Sequence, residues 1–154
     1  MSKCQKQIER AERYYERFKK INDGREHDSH SETYFDDIYT FFMHCYHIKD
    51  YLKHDASYTT HTNQEIENYI TNTPSLALCA DICNGLKHLN LNNTRSGDTP
   101  DVDSGTIHVN ITEGMGSGNT EVKVSCKVTV KHAGSEKDAF ELASEAMGSW
   151  RTFI

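Results

Sequence analysis

Four polar residues in the second half of the chain carry side chains that could do chemistry together. Asp81, Asn84 and His88 recur at steps of three and four residues, which places them on one helical face, and Arg95 follows closely. A histidine can act as a general acid or base at neutral pH. The asparagine can orient it or bind a phosphate oxygen, and the arginine can stabilise developing phosphate charge. These catalytic candidates would suffice for metal-independent RNA cleavage, with the ribose 2′-hydroxyl as nucleophile.

A structural role is the alternative for the same segment. Asp81 and Lys87 can simply pair with groups on neighbouring helices, and His88 can be a buried histidine held by hydrogen bonds. Gly85 costs about 1 kcal/mol relative to alanine inside a helix, which suggests that another backbone or a ligand approaches closely there. The residues alone leave the structural and the catalytic interpretation open.

The helix that must position these residues is the most apolar one in the sequence. It begins after Thr73-Pro74, the order typical of a helix start, and extends to about residue 89. Its apolar stripe is predicted to be core and consists of Leu78, Ile82, Leu86 and Leu89. Polar groups on a largely buried helix cost free energy unless they are paired, so the polar set on its second face requires an explanation.

A second polar face lies on a predicted helix over residues 32–54. It carries Asp37, Thr40, His44, His47, Tyr51 and His54. Imidazoles and a carboxylate on one face could bind zinc or another divalent metal, and His44, His47 and His88 form the weaker alternative of a metal-binding bundle. The histidine spacing matches no metal motif with a physical basis. Half-buried histidines bonded to their neighbours are therefore the main expectation, and no cofactor is predicted.

Hydrophobic periodicity predicts an α+β fold, mainly a helical up-and-down bundle with an antiparallel β-hairpin inserted before the C-terminal helix. Apolar stripes at steps of three and four predict helices over residues 2–22, 32–54, 62–72 and 73–89. Capping boxes are predicted at Ser29-His30-Ser31-Glu32 and at Thr62-Asn63-Gln64-Glu65. The outer face of the first helix is charge-rich, and solvation is its expected role.

After residue 91 the period changes from 3.6 to two. Alternation over residues 107–111 and 122–130 predicts two strands, joined by a glycine-rich loop at 114–119. Ser135 opens a last helix in which Trp150 is predicted to be core. The sequence thus predicts one domain over residues 1–154, made of a helical bundle (1–91), a linker (92–104), a β-hairpin (105–131) and a C-terminal helix (135–154).

Composition restricts the functional classes. The net charge is −6 at pH 7, which argues against a broadly basic nucleic-acid surface and leaves a local basic patch open. The first residues lack the apolar core of a secretory signal, and no run approaches the roughly 18 apolar residues of a membrane span. The five cysteines show no paired spacing. We therefore expect a cytoplasmic protein with reduced thiols and no membrane partner.

The segment Asn84-Gly85-Leu86-Lys87-His88, late in a small helical bundle, resembles the Asn-x-x-x-His part of the HEPN superfamily motif. HEPN proteins are often dimeric helical bundles, and many are metal-independent ribonucleases of toxin or phage-defence systems. The resemblance implies that Asn84 and His88 are active-site positions at a dimer interface. Cys83 stands where the family has an arginine, and Arg95 could replace that arginine only if the chain turns back. The wider segment 81–89 also resembles small uncharacterised bacterial proteins.

The leading hypothesis is therefore a HEPN-like homodimer that binds RNA or a nucleotide, or cleaves RNA without a metal, in a toxin–antitoxin or phage-defence system. The alternative is a non-catalytic module that dimerises or binds a protein partner through the hairpin and the bundle. A metal-binding helical bundle is the third hypothesis.

Overall fold

A computed structural model describes residues 1–27, 30, 32–88, 91–102, 105–113, 118 and 120–154. Within these residues the fold is α+β, as predicted, with five helices and two small antiparallel three-stranded sheets. Among the described residues, one strand lies between the first two helices and five lie between the fourth and the fifth. The helices are α1 (Lys3–Asp23), α2 (Glu32–Lys53), α3 (Asn63–Asn72), α4 (Pro74–Lys87) and α5 (Ala139–Phe153). Helices α1, α2, α4 and α5 pack together.

The helix boundaries follow from caps in the sequence. The Ser2 hydroxyl accepts a hydrogen bond from the Gln5 N–H (3.0 Å) at the start of α1, and Gly24, at φ 109°, ends the helix. The predicted capping box of α3 is confirmed, since Thr62 and Glu65 each accept a bond from the other's backbone N–H. Two residues of the box predicted before α2, Ser29 and Ser31, lie outside the described residues.

Helix α4 packs against α2, α3 and α5. Residues 75–83 are all buried, so this part of the helix is surrounded rather than buried on one stripe. Its last turn is exposed, and Leu86, predicted to be core, has 44% of its surface exposed. That prediction is wrong because α4 ends at Lys87 and its final turn extends beyond the helices that cover its first half. Leu89 of the predicted stripe lies outside the described residues.

The first sheet contains the predicted hairpin. Its strands are β1 (Arg25–Glu26), β3 (Thr106–Glu113) and β4 (Thr120–Lys127), in the order β1-β4-β3. Strands β3 and β4 pair in an antiparallel register that sets Val109 opposite Val124. In the predicted loop, only Gly118 belongs to the described residues. The predicted hairpin pairing is confirmed for the first strand and for the second as far as Lys127.

The second sheet was not predicted. It consists of β2 (Asp101–Val102), β5 (Thr129–His132) and β6 (Ser135–Asp138), in the order β2-β5-β6. The strand predicted over 122–130 is interrupted at Val128, whose carbonyl accepts a bond from the Ala139 N–H (2.8 Å). A tight turn at Ala133 and Gly134, both at positive φ, then reverses the chain into β6.

The C-terminal helix consequently begins at Ala139 rather than at Ser135. Asp138 is its N-cap, and the Asp138 carboxylate accepts a bond from the Glu141 N–H (2.8 Å). Trp150 is core, as predicted, with its indole N–H bonded to the Cys45 carbonyl (3.0 Å). All five cysteines are buried and free. Among the described residues, no helix combines the length and the apolar character that crossing a membrane requires.

Candidate functional site

The structure divides the four predicted catalytic residues into two pairs. Asp81 is 1% exposed, and its carboxylate faces the loop that follows α4. Both oxygens accept a bond from the Arg95 N–H (2.9 Å each), and one also accepts bonds from the Ser96 N–H (2.7 Å) and hydroxyl (2.6 Å). Asp81 therefore fixes the loop to the bundle, and its oxygens are already engaged within the protein.

The Arg95 guanidinium is turned towards α3. It donates to the Thr71 hydroxyl (3.0 Å) and to the Glu67 carboxylate (2.5 Å). Glu67 also accepts a bond from Lys53 and lies 3.6 Å from the Lys49 ammonium. Burial raises the pKa of Glu67, but the hydrogen bonds from Lys53 and Arg95 outweigh it and bring the pKa to about 2. Arg95 is thus part of an ionic cluster. The chain does turn back towards α4 after the helix ends, but the Arg95 guanidinium is bound to Glu67 and not available to a ligand beside Asn84 and His88.

Asn84 and His88, in contrast, open onto the same surface cleft. The cleft has a volume of about 350 Å³ and is completed by Leu91, Asn92 and Asn93. Asn84 is half-buried and His88 is exposed. His88 is the C-cap residue of α4 and has an extended backbone, and its N–H donates to the Asn84 carbonyl (2.9 Å). These two residues of the predicted set are therefore accessible to a ligand from solvent.

Gly85 does not mark a close approach. A methyl group at its Cα would meet only the Leu91 Cδ1 atom, at 4.0 Å, which is an ordinary van der Waals distance. The expectation that another backbone packs against Gly85 is wrong, because the residue lies in the exposed last turn of α4. The glycine leaves open space beside the cleft of Asn84 and His88.

The histidine face of α2 lies beside cations. The Gln7 amide nitrogen donates to the His44 carbonyl (2.9 Å) and lies 3.5 Å from His44 Nδ1. Burial and the positive charges of Arg10 and Arg13 lower the pKa of His44. The same cations disfavour a divalent metal. Among the described residues, no group of three or more His, Cys, Asp or Glu could hold a metal ion, so the histidine-bundle alternative gains no geometric support.

A charged surface that was not predicted from the sequence lies beside His44. Six cations of α1 recur at steps of three and four and cover about 100° of the helix surface. We call this set the basic flank; it consists of Lys3, Lys6, Arg10, Arg13, Arg17 and Lys20. The acidic residues of α1 occupy the adjoining part of its exposed surface. The spacing of Lys and Arg in the sequence could have predicted this basic surface. The charge-rich face was instead expected only to be solvated.

The basic flank is largely free of compensating charge. Among the described residues, Arg17 is its one member in an ion pair, with Asp37 (3.1 Å). The Arg17 guanidinium also lies over the Tyr14 ring, 4.9 Å from its centroid, and Tyr14 contacts His44 (5.1 Å between ring centroids). The flank, Tyr14 and His44 thus form one surface that is positive in a protein whose net charge is −6.

No protein-family model matches this sequence, and no curated protein and no solved structure is significantly similar to it.

Proposed function

We propose that this protein binds RNA, in keeping with its HEPN-like motif, and that the basic flank of α1 contacts the phosphates. The flank is the observation that carries the proposal. Its six cations lie along about 26 Å of helix, a length that faces several consecutive phosphates of a strand. Neutralising phosphates releases condensed counterions, which is the main source of sequence-independent affinity for nucleic acids.

An anionic membrane is a poorer match for the same charges. A helix that lies on a membrane presents apolar side chains beside its cations. The apolar stripe of α1, which includes Ala11 and Phe18, is instead buried in the bundle. Arginine also favours phosphate because its planar guanidinium donates two parallel hydrogen bonds, and half of the basic flank is arginine.

The cleft at Asn84 and His88 is the proposed place for RNA cleavage, if the protein cleaves RNA. In that reaction His88 takes the proton of the ribose 2′-hydroxyl as its oxygen attacks phosphorus, and then returns it to the 5′-oxygen, which leaves as a hydroxyl group and gives a 2′,3′-cyclic phosphate. The phosphorane also needs a nearby cation. Arg95 is committed to Glu67, and Cys83 replaces the family's arginine, so Lys87 is the exposed cation of this segment. The geometry favours binding over cleavage.

Salt-dependent binding tests the role of the basic flank. The K6Q/R13Q variant and the K19Q/K123Q control each remove two positive charges from exposed positions, and only the first pair belongs to the flank. Affinity for a labelled single-stranded RNA is measured by fluorescence anisotropy at several salt concentrations. Losing two phosphate contacts should reduce the slope of log K against log[salt] by about 1.4. Equal effects of the two variants, or no binding by the unaltered protein, would refute the proposal.

Cleavage is tested separately, by incubating the protein with RNA and a chelator. If cleavage occurs at the cleft, H88A abolishes it, whereas H54A, which removes an exposed histidine elsewhere on the molecule, leaves it unchanged. An unaltered protein that binds RNA and leaves it intact would remove the catalytic interpretation of Asn84 and His88 and retain the binding proposal.

A further inference from the structure

Strand β3 presents three branched apolar side chains to solvent. Ile107, Val109 and Ile111 are 42%, 57% and 65% exposed, so exposure rises along the strand. They alternate with polar residues and therefore share one face of the sheet. Single exposed apolar residues are ordinary, but a row of three on one strand is a contiguous patch, and such patches mark interaction sites.

This patch continues the core of the protein. Ile107 and Val109 pair with Cys126 and Val124 on β4, which are 0% and 4% exposed. Helix α1 packs on β4, whereas β3 extends beyond this cover at the edge of the sheet. The apolar face thus passes without interruption from buried β4 to exposed β3.

The edge lacks the usual protection against strand pairing. Natural edge strands are short, or carry lysine, proline or a bulge. Strand β3 has eight residues, and its one carboxylate is that of the last residue, Glu113; the segment 106–112 reads Thr-Ile-His-Val-Asn-Ile-Thr, without lysine, proline or any carboxylate. Among the described residues, β4 is its one strand partner.

We propose that two copies of this chain pair through antiparallel β3 strands, with the two-fold axis passing through Val109. In an antiparallel pair, opposite residues share a face, so the apolar faces coincide only when the axis passes through a residue. With the axis at Val109, Val109 faces its own copy and Ile107 faces Ile111. Thr106 then faces Thr112 and His108 faces Asn110. Every apolar side chain of the segment meets an apolar one.

A second copy explains the strand better than an unrelated partner. The segment 106–112 is symmetric in character about its centre, which is the pattern that an isologous two-fold interface requires. A partner recognised by charge would need complementary charges, and this segment carries no carboxylate, lysine or arginine. The net charge of −6 on each copy makes an uncharged edge the favourable place for two copies to meet.

The interface is expected to be weak. The exposed apolar surface of one β3 is on the order of a few hundred Å², below the roughly 800 Å² per partner of a standard stable interface. We therefore expect dimers at protein concentrations of tens of micromolar or above, and monomers at nanomolar concentrations. This interface is independent of the proposed RNA binding and differs from the one at Asn84 and His88 that the HEPN resemblance implies.

Analytical ultracentrifugation over a concentration series tests the proposal. V109K introduces a lysine at the two-fold axis and should weaken dimerisation at least tenfold. M43K, which places the same charge on an exposed apolar residue of α2, should leave it unchanged. A protein that is monomeric at all concentrations, or a dimer that V109K does not weaken, would overturn the proposal.

A cross-link tests the register without relying on the folding of V109K. In the H108C/N110C variant, edge pairing sets position 108 of each copy opposite position 110 of the other copy. Both positions carry a cysteine in this variant, so mild oxidation should give a covalent dimer. Stacking of the two apolar faces would leave these positions on the outer surfaces and give none. A dimer that persists without this cross-link would therefore overturn edge pairing.

Discussion

Replacing Asp81 by asparagine is the substitution that best separates structure from catalysis in this protein. The carboxylate is buried at 1% exposure, and it receives bonds from the backbone N–H groups of Arg95 and Ser96 and from the Ser96 hydroxyl. Asparagine keeps the shape of the side chain and one acceptor oxygen. It removes the negative charge and places an NH₂ group where a donor is already present.

The magnitude follows from this geometry. Hydrogen bonds to a charged acceptor contribute about 1.5–3 kcal/mol each, and a buried donor left without a partner costs about 1–3 kcal/mol. The Ser96 hydroxyl can rotate to another acceptor, whereas the two backbone donors cannot. We therefore expect D81N to lower the free energy of unfolding by roughly 2–4 kcal/mol. For a chain of 154 residues, this corresponds to a fall in melting temperature of roughly 5–15 °C.

Urea denaturation and a thermal melt measure this loss. D98N is the matched control, because Asp98 lies in the same loop, is exposed and accepts bonds from the Thr99 and Ala133 N–H groups. The control should cost less than about 1 kcal/mol, since solvent can replace its bonds. A loss below about 0.5 kcal/mol for D81N would refute the structural interpretation. So would unchanged stability combined with lost RNA binding or cleavage.

Three further predictions concern other sites. The pKa of Glu67 is about 2 in the folded protein, against an ordinary value of 4.5. Its ion pairs therefore stabilise the fold above pH 4.5, and this contribution is lost as the pH falls towards 2. E67Q should reduce the difference in unfolding free energy between pH 5 and pH 3. G85A should stabilise the protein by about 0.5–1 kcal/mol in urea denaturation, since its methyl group meets no close neighbour; destabilisation would show that the glycine is needed. Burial raises the pKa of Cys4 and Cys83 to about 11, so iodoacetamide at pH 8 should alkylate them, as followed by mass spectrometry, only after unfolding.

Helix faces could be predicted from the sequence because their signal is local. The stripe predicted on α2 by steps of three and four is entirely buried; it comprises Tyr34, Ile38, Phe41, Cys45, Ile48 and Leu52. Periodicity of this kind needs only that a helix has one covered side. The hairpin of β3 and β4 could equally be predicted from the sequence. Alternation at period two predicts a sheet face, and a glycine-rich loop predicts the reversal of the chain.

The second sheet depended on information that the local pattern does not hold. Ser135-Glu136-Lys137-Asp138 resembles the start of a helix, yet it forms β6 because β5 pairs with it across the turn at Ala133 and Gly134. The helix begins four residues later than predicted because Ser135 lies in a strand and cannot cap it. Asp138, at the end of that strand, is the N-cap instead. Tertiary pairing overrode the local propensity here.

The candidate site shows a second limit of reasoning from spacing. Of the three residues predicted on one helical face, Asp81 and Asn84 lie in α4, whereas His88 is its C-cap residue with an extended backbone, and spacing does not tell how far along its axis a helix remains covered. Cover ends within this segment: Asp81 is sealed by the loop, Asn84 is half-buried, and His88 caps the helix in solvent. The segment 81–88 therefore contains a structural carboxylate at one end and an accessible imidazole at the other.

The decrease in burial from Asp81 to His88 also decides what a reaction at the cleft would require. The loop that Asp81 holds carries the Arg95 guanidinium away towards Glu67, so the bond that stabilises the fold also removes the cation that the predicted mechanism assigned to Arg95. A phosphate bound between Asn84 and His88 would have to be neutralised by Lys87 or by a group outside this chain. The basic flank of α1 has the cations that the cleft lacks. The proposed RNA binding and the proposed cleavage therefore depend on different cations, and they should respond to different substitutions.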